Sequence, residues 1–112
     1  LGDFHATRRG RAVLVEWQTL AEFKNAGFRV LRQAPAGSLA NLTPRLIPAR
    51  AGGISGAAYS YLDLAAPSEA VRYWLEDVDA RGHTTRHGPV VAPPAQVRPI
   101  ELPPAPGAPP PE

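Results

Sequence analysis

Through most of the first ninety residues, apolar and polar side chains alternate at every second position, the period of a half-buried β-strand. Between Arg11 and Leu20, Val13, Val15 and Trp17 share one face, and Leu14, Glu16 and Gln18 share the other. The pattern returns in Gly27–Gln33, with Phe28 and Val30 on one face. In Ala57–Leu64, Tyr59, Tyr61 and Asp63 alternate with Ala58, Ser60 and Leu62. In Ala70–Ala80 it turns Val71, Tyr73 and Leu75 inward and Arg72, Trp74 and Glu76 outward. His83–Ala92 is a weaker strand rich in Thr and Val, and Phe4–Arg8 a candidate edge strand. Leu42–Ala49 is a short strand limited by its prolines. Turn-forming clusters such as RRGR, APAGS, RAGGISG and DARG separate these runs. LAEFKNAG is the nearest approach to a helical turn, and Gly27 at its end is expected to close a loop with a positive backbone angle. The prediction is all-β: a seven-stranded antiparallel sandwich.

Composition sets the size of that sandwich. Of fourteen prolines in 112 residues, nine fall between Pro93 and Glu112. The expected organisation is therefore a folded domain over 1–92 and a proline-rich tail or linker over 93–112, extended in the polyproline II form. Within that tail, Val97, Ile100 and Leu102 are unusual for a pure spacer and suit a segment that folds back on the domain. Eleven Arg and one Lys against ten acids leave a net charge of +2, interspersed, with none of the clustering that nucleic-acid binding requires. Absence of cysteine excludes disulfides, thiolate catalysis and cysteine-held zinc. No apolar run approaches a membrane span. A chain without methionine reads as a piece of a longer or processed polypeptide.

Chemistry concentrates in YWLEDVDARGHTTRHGPV, Tyr73 to Val90. His83 and His87 lie about 13 Å apart along a strand, too far to share one metal ion. The acids Glu76, Asp77 and Asp79 lack the spacing of an EF-hand loop, although a looser loop calcium site stays open. Asp77 and Asp79 share a face about 6.6 Å apart, a separation that suits paired carboxylates. A hairpin accounts for them better: Asp79 and Gly82 occupy the first and fourth positions of a type I turn, and Asp79 is expected to accept from the turn's own N–H groups. Asp77, at the end of the inward face, needs a cation, and Arg32 is the expected partner. The glycines of AGGISG lack the Lys-Ser/Thr of a phosphate loop. No catalytic residue, metal site or cofactor is expected.

The strand order, with Trp17 in VLVEW, the strand GFRVLR and the strand-turn VRYWLEDVDARG, resembles a fibronectin type III-like, immunoglobulin-like β-sandwich. More narrowly it is similar to a bacterial subgroup found near the C-termini of secreted multidomain surface proteins. The positions that carry the likeness are Glu22, Asn25, Gly27, Phe28, Tyr73, Leu75, Val78, Asp79 and Gly82. Val71 stands where many such domains have the tyrosine-corner residue, so that hydrogen bond is not expected. The resemblance implies an extracellular or cell-surface setting, with the periplasm as the alternative. It implies a non-catalytic module, and Trp17, Phe28, Val30, Tyr73, Leu75, Asp79 and Gly82 are its expected structural residues.

A binding role falls to the outward face. Trp74, flanked by Arg72 and Glu76 and joined by Arg29 and Leu31 of the neighbouring strand, forms a candidate partner-binding face. The expected partners are other domains of the parent protein or a separate protein, with polysaccharide as a further ligand class. Two alternatives stand beside the spacer or interaction module: an accessory module of a secreted hydrolase that holds carbohydrate through Trp74, and a subunit of a surface filament assembled by edge strands or tail.

Overall fold

The computed structural model describes residues 1–20, 25–50 and 56–96. Among them are eight strands: β1 (Asp3–Arg9), β2 (Ala12–Gln18), β3 (Asn25–Gln33), β4 (Leu39–Asn41), β5 (Ile47–Pro48), β6 (Ala58–Asp63), β7 (Val71–Asp79) and β8 (Thr84–Ala92). They form two antiparallel sheets. One is three-stranded in the order β1-β2-β6; the other runs β4-β3-β7-β8, with β5 also paired to β3. The arrangement is all-β and consistent with an immunoglobulin-like sandwich. Seven strands were expected and eight are found. Leu42–Ala49 contributes only the two residues of β5, while β4 is an extra strand paired to the end of β3 through Leu31↔Asn41 and Gln33↔Leu39.

Alternation sets the core. Val13, Val15, Trp17 and Tyr59 from the first sheet meet Phe28, Val30, Val71, Tyr73, Leu75 and Ala92 from the second. At its centre Trp17 stacks on Tyr59, ring centroids 5.5 Å apart and planes within 9°, and Phe28 tilts against both. Each such ring withdraws roughly 150–250 Å² from water, so this triad supplies much of the small core's stability. Inward residues of β2 and the first part of β7 follow the predicted phase: Val13, Val15 and Trp17, then Val71, Tyr73 and Leu75, are all buried. Beyond Leu75 the alternation breaks, with Asp77 only partly buried and Val78 buried out of phase.

Gly27 departs from expectation. It lies inside β3 beside a bulge at Asn25/Gly27 and closes no loop. Its role is close approach: a Cβ there would stand 2.5 Å from the carbonyl oxygen of Ile47, so glycine lets β5 lie this close alongside β3. The expectations for Glu22, for most of the AGGISG loop and for Val97, Ile100 and Leu102 concern residues outside those described.

Candidate partner-binding face and polar hubs

Register brings the outward residues of β3, β7 and β8 together. Leu31 lies opposite Trp74, Arg29 opposite Glu76, Gln33 opposite Arg72, and Glu76 opposite Arg86. The face is partly covered by its own side chains. Arg86 places its guanidinium 6.0 Å from the centroid of the Trp74 ring and donates to Glu76 Oε2 at 2.8 Å. Arg29 reaches Glu76 Oε1 at 3.7 Å from the other side. The Trp74 indole N–H donates to Gln33 Oε1 at 3.4 Å, and Trp74 is half-buried. Leu31 is only 5% exposed, so it supports the face from below and offers no contact of its own. Arg72 stands in solvent beside the exposed Val91, on the rim of a shallow depression shared with Gln33, Pro35 and Val71. Sequence reasoning missed Arg86 and Gln33. A bulge in the β7–β8 ladder between Tyr73 and Leu75 displaces the count of alternate positions that would have marked Arg86.

The charged stretch from Tyr73 to Val90 resolves into separate pairs. Asp79 accepts at Oδ1 from the backbone N–H groups of Arg81 (2.8 Å) and His83 (2.9 Å), and Gly82, at φ +86°, donates to the Asp79 carbonyl. Those donors, the His83 N–H foremost, hold the Asp79 carboxyl below the usual carboxylate range. Asp77 is not paired with Arg32. It faces His87 Nε2 at 2.5 Å across the β7–β8 ladder, because the inward phase of both strands puts them on one side. Among the described residues, no three His, Asp or Glu side chains converge as metal ligands would.

Arg32 instead reaches across the sandwich. Its Nη1 donates to both oxygens of Asp63, at 2.8 and 2.9 Å, and the Tyr73 hydroxyl donates to Asp63 Oδ2 at 2.6 Å. Asp63 is 2% exposed and belongs to β6, so one carboxylate ties the first sheet to β3 and β7 of the second. Burial, reinforced by the hydrogen bond to Asp63 and that acid's charge, pushes the Tyr73 phenol far above its ordinary range.

A second hub sits at the same end of the molecule. Arg8, near the end of β1, donates to the carbonyls of Pro67 and Glu69 (both 2.9 Å), of Arg11 (3.3 Å) and of Pro93 (2.8 Å). Ala95 N–H donates to the Ser68 carbonyl at 2.7 Å. The chain leaving β8 is thereby held against the loop between β6 and β7.

In comparisons with known proteins, no family model, curated protein or solved structure matches the chain. Among the described residues no helix is long and apolar enough to cross a membrane.

Proposed function

We propose that this chain is a fibronectin type III-like, non-catalytic module of an exported bacterial multidomain protein, serving as a spacer or protein-binding domain. One observation carries the reading: the acids Asp63, Asp77 and Asp79 are each engaged by groups of the scaffold. Asp63 is held by Arg32 and Tyr73, Asp77 faces His87, and Asp79 caps its own turn. On the outer face of the second sheet, the half-buried Trp74 with the exposed Arg72 and Val91 forms an amphipathic rim, the composition of a modest protein contact. The bacterial, exported setting rests on the sequence resemblance alone.

Trp74 also favours a second reading, an accessory module that holds carbohydrate. Titration with soluble cello-, chito- and manno-oligosaccharides, followed at the Trp74 indole N–H by NMR, separates the two. The spacer or protein-binding reading expects no saturable shift. A saturable shift abolished by Trp74→Ala transfers the module to the carbohydrate-binding class.

A further inference from the structure

The sandwich has edges of unequal kind. On one side β1 and β8 lie along each other and close it. Both are also guarded: β1 carries Asp3, His5, Arg8 and Arg9, and β8 carries Arg86, His87 and Pro89 beside its bulge. On the other side β4 is three residues long and β5 two, the latter with Pro48. Short strands, charges, prolines and bulges are the devices that keep edges from pairing with other chains.

Strand β6 has none of them. It is a regular six-residue strand at the end of its sheet, AYSYLD, without proline, lysine or arginine, and its one charge, Asp63, is turned inward and buried. Its outward side chains are Ala58, Ser60 and Leu62, with Leu62 46% exposed and the following Leu64 77% exposed. The direction of its free amides follows from the ladder. Thr19 N–H donates to the Ala57 carbonyl, and antiparallel pairs bond at alternate residues, so Tyr59, Tyr61 and Asp63 turn their backbone groups to β2. Those of Ala58, Ser60 and Leu62 therefore point away from the sheet.

We propose that this edge pairs antiparallel with the β6 edge of a second copy of the chain, Ser60 opposite Ser60 and Ala58 opposite Leu62. In that register each outward-facing residue donates once and accepts once, and the whole strand overlaps. It brings no charge against a like charge, and places Leu62 of each copy beside Ala58 of the other. The proline-rich tail is a poorer occupant: Pro99 and Pro103 leave it a single phase with alternate N–H donors, Arg98, Ile100 and Leu102. Pairing in that phase would turn Glu101 to the inward side of the edge, beside Tyr59, Tyr61 and the acid Asp63. An uncharged edge also offers nothing to select a charged foreign peptide. The second copy is the partner whose composition matches.

The inference is independent of the Trp74 face, and its failure leaves the module reading standing. Sedimentation of the full chain across a wide concentration range is expected to show a mass rising toward twice that of the chain, and Leu62→Lys, on the exposed face, to return it to the monomer. Because the chain has no cysteine, single thiols report register. Ser60→Cys is expected to cross-link into dimers on oxidation. Ala58→Cys is not, since its two copies would stand about 13 Å apart, beyond disulfide reach. A dimer that survives Leu62→Lys and cross-links as readily through residue 58 as through 60 overturns the proposal. So does a monomer at every concentration. In that case hydrogen exchange at Ser60 and Leu62 identifies the alternative: protected amides mean the chain covers its own edge, and fast exchange means the edge is bare.

Discussion

The molecule contains two clusters built from the same kinds of group, an acid, arginine and an aromatic ring, in opposite surroundings. Asp63, Arg32 and Tyr73 lie between the sheets, with Asp63 almost wholly excluded from water. Glu76, Arg86, Arg29 and Trp74 lie on one face of one sheet, where Arg86 keeps nearly half its side chain in solvent. The chemistry is alike and its consequence is not. In the buried cluster each group is held because desolvated charge without a partner is expensive. On the face Glu76 is only 13% exposed, but its partners Arg29 and Arg86 keep about a third and a half of their side chains in water, which can replace the acid if it is lost. The inner cluster fixes how the sheets sit together. The outer one shapes a surface.

Removing the inner carboxylate is the most severe way to break that contrast. Asp63→Ala leaves Arg32 and the Tyr73 hydroxyl without their partner and is expected to cost about 3–5 kcal/mol, read from urea unfolding of the isolated chain. A loss below about 1 kcal/mol would mean that water reaches the site and that the two clusters are equivalent.

Next comes Tyr73→Phe, which deletes one hydroxyl and keeps the Arg32–Asp63 pair; the expected cost is about 1–2 kcal/mol. The same variant sharpens the comparison through pH. The folded Tyr73 phenol is raised above its unfolded value, so its contribution is fully present below a pH of about 10 and is lost as pH rises beyond it, where only the unfolded chain releases the proton. Stability of the wild type should then fall by about 1.4 kcal/mol per pH unit from this group. Tyr73→Phe should lack that component, a difference visible in thermal melts taken at alkaline pH.

On the face, Glu76→Ala is expected to cost about 1 kcal/mol or less, and the difference from wild type should shrink in high salt. Smallest of all is Arg86→Ala, expected to change stability by about 0.5–1 kcal/mol at most while shifting Trp74 fluorescence as the ring loses its cover. A large loss from Arg86→Ala would make the face structural and weaken its candidacy as a contact surface.

The sequence made the strands and their inward residues legible because a period of two is imposed locally by the pleat. Val13, Val15 and Trp17, or Val71, Tyr73 and Leu75, need no knowledge of their neighbours to be assigned a face. What lies across the core was not legible. Asp63 shares its phase with Tyr59 and Tyr61, which signals burial, but nothing local tells that Arg32 and Tyr73 of the opposite sheet will meet it. Sequence alone therefore points Arg32 to Asp77, whose partner is His87. The outward face was half legible. Trp74, Arg29 and Glu76 do assemble, yet the bulge opposite Trp74 hid Arg86, and burial of Leu31 depends on the neighbours that register gives it, Trp74 and Asn41.

Arg8 has a mechanical meaning. Gly2 is hydrogen-bonded to Gln18 at one end of β1, and Arg8 grips Pro93 at the other, about 20 Å away. Tension applied between Leu1 and Pro93 therefore runs along the strands, so the β1–β2 ladder resists by sliding all its bonds together instead of opening them one at a time. The guanidinium acts as a clasp at the point where the load leaves the fold. It ties the exit of β8 to the first strand and to the Pro67–Glu69 loop, and pulling that exit free means parting the Arg8–Pro93 bond together with the Ala95–Ser68 bond.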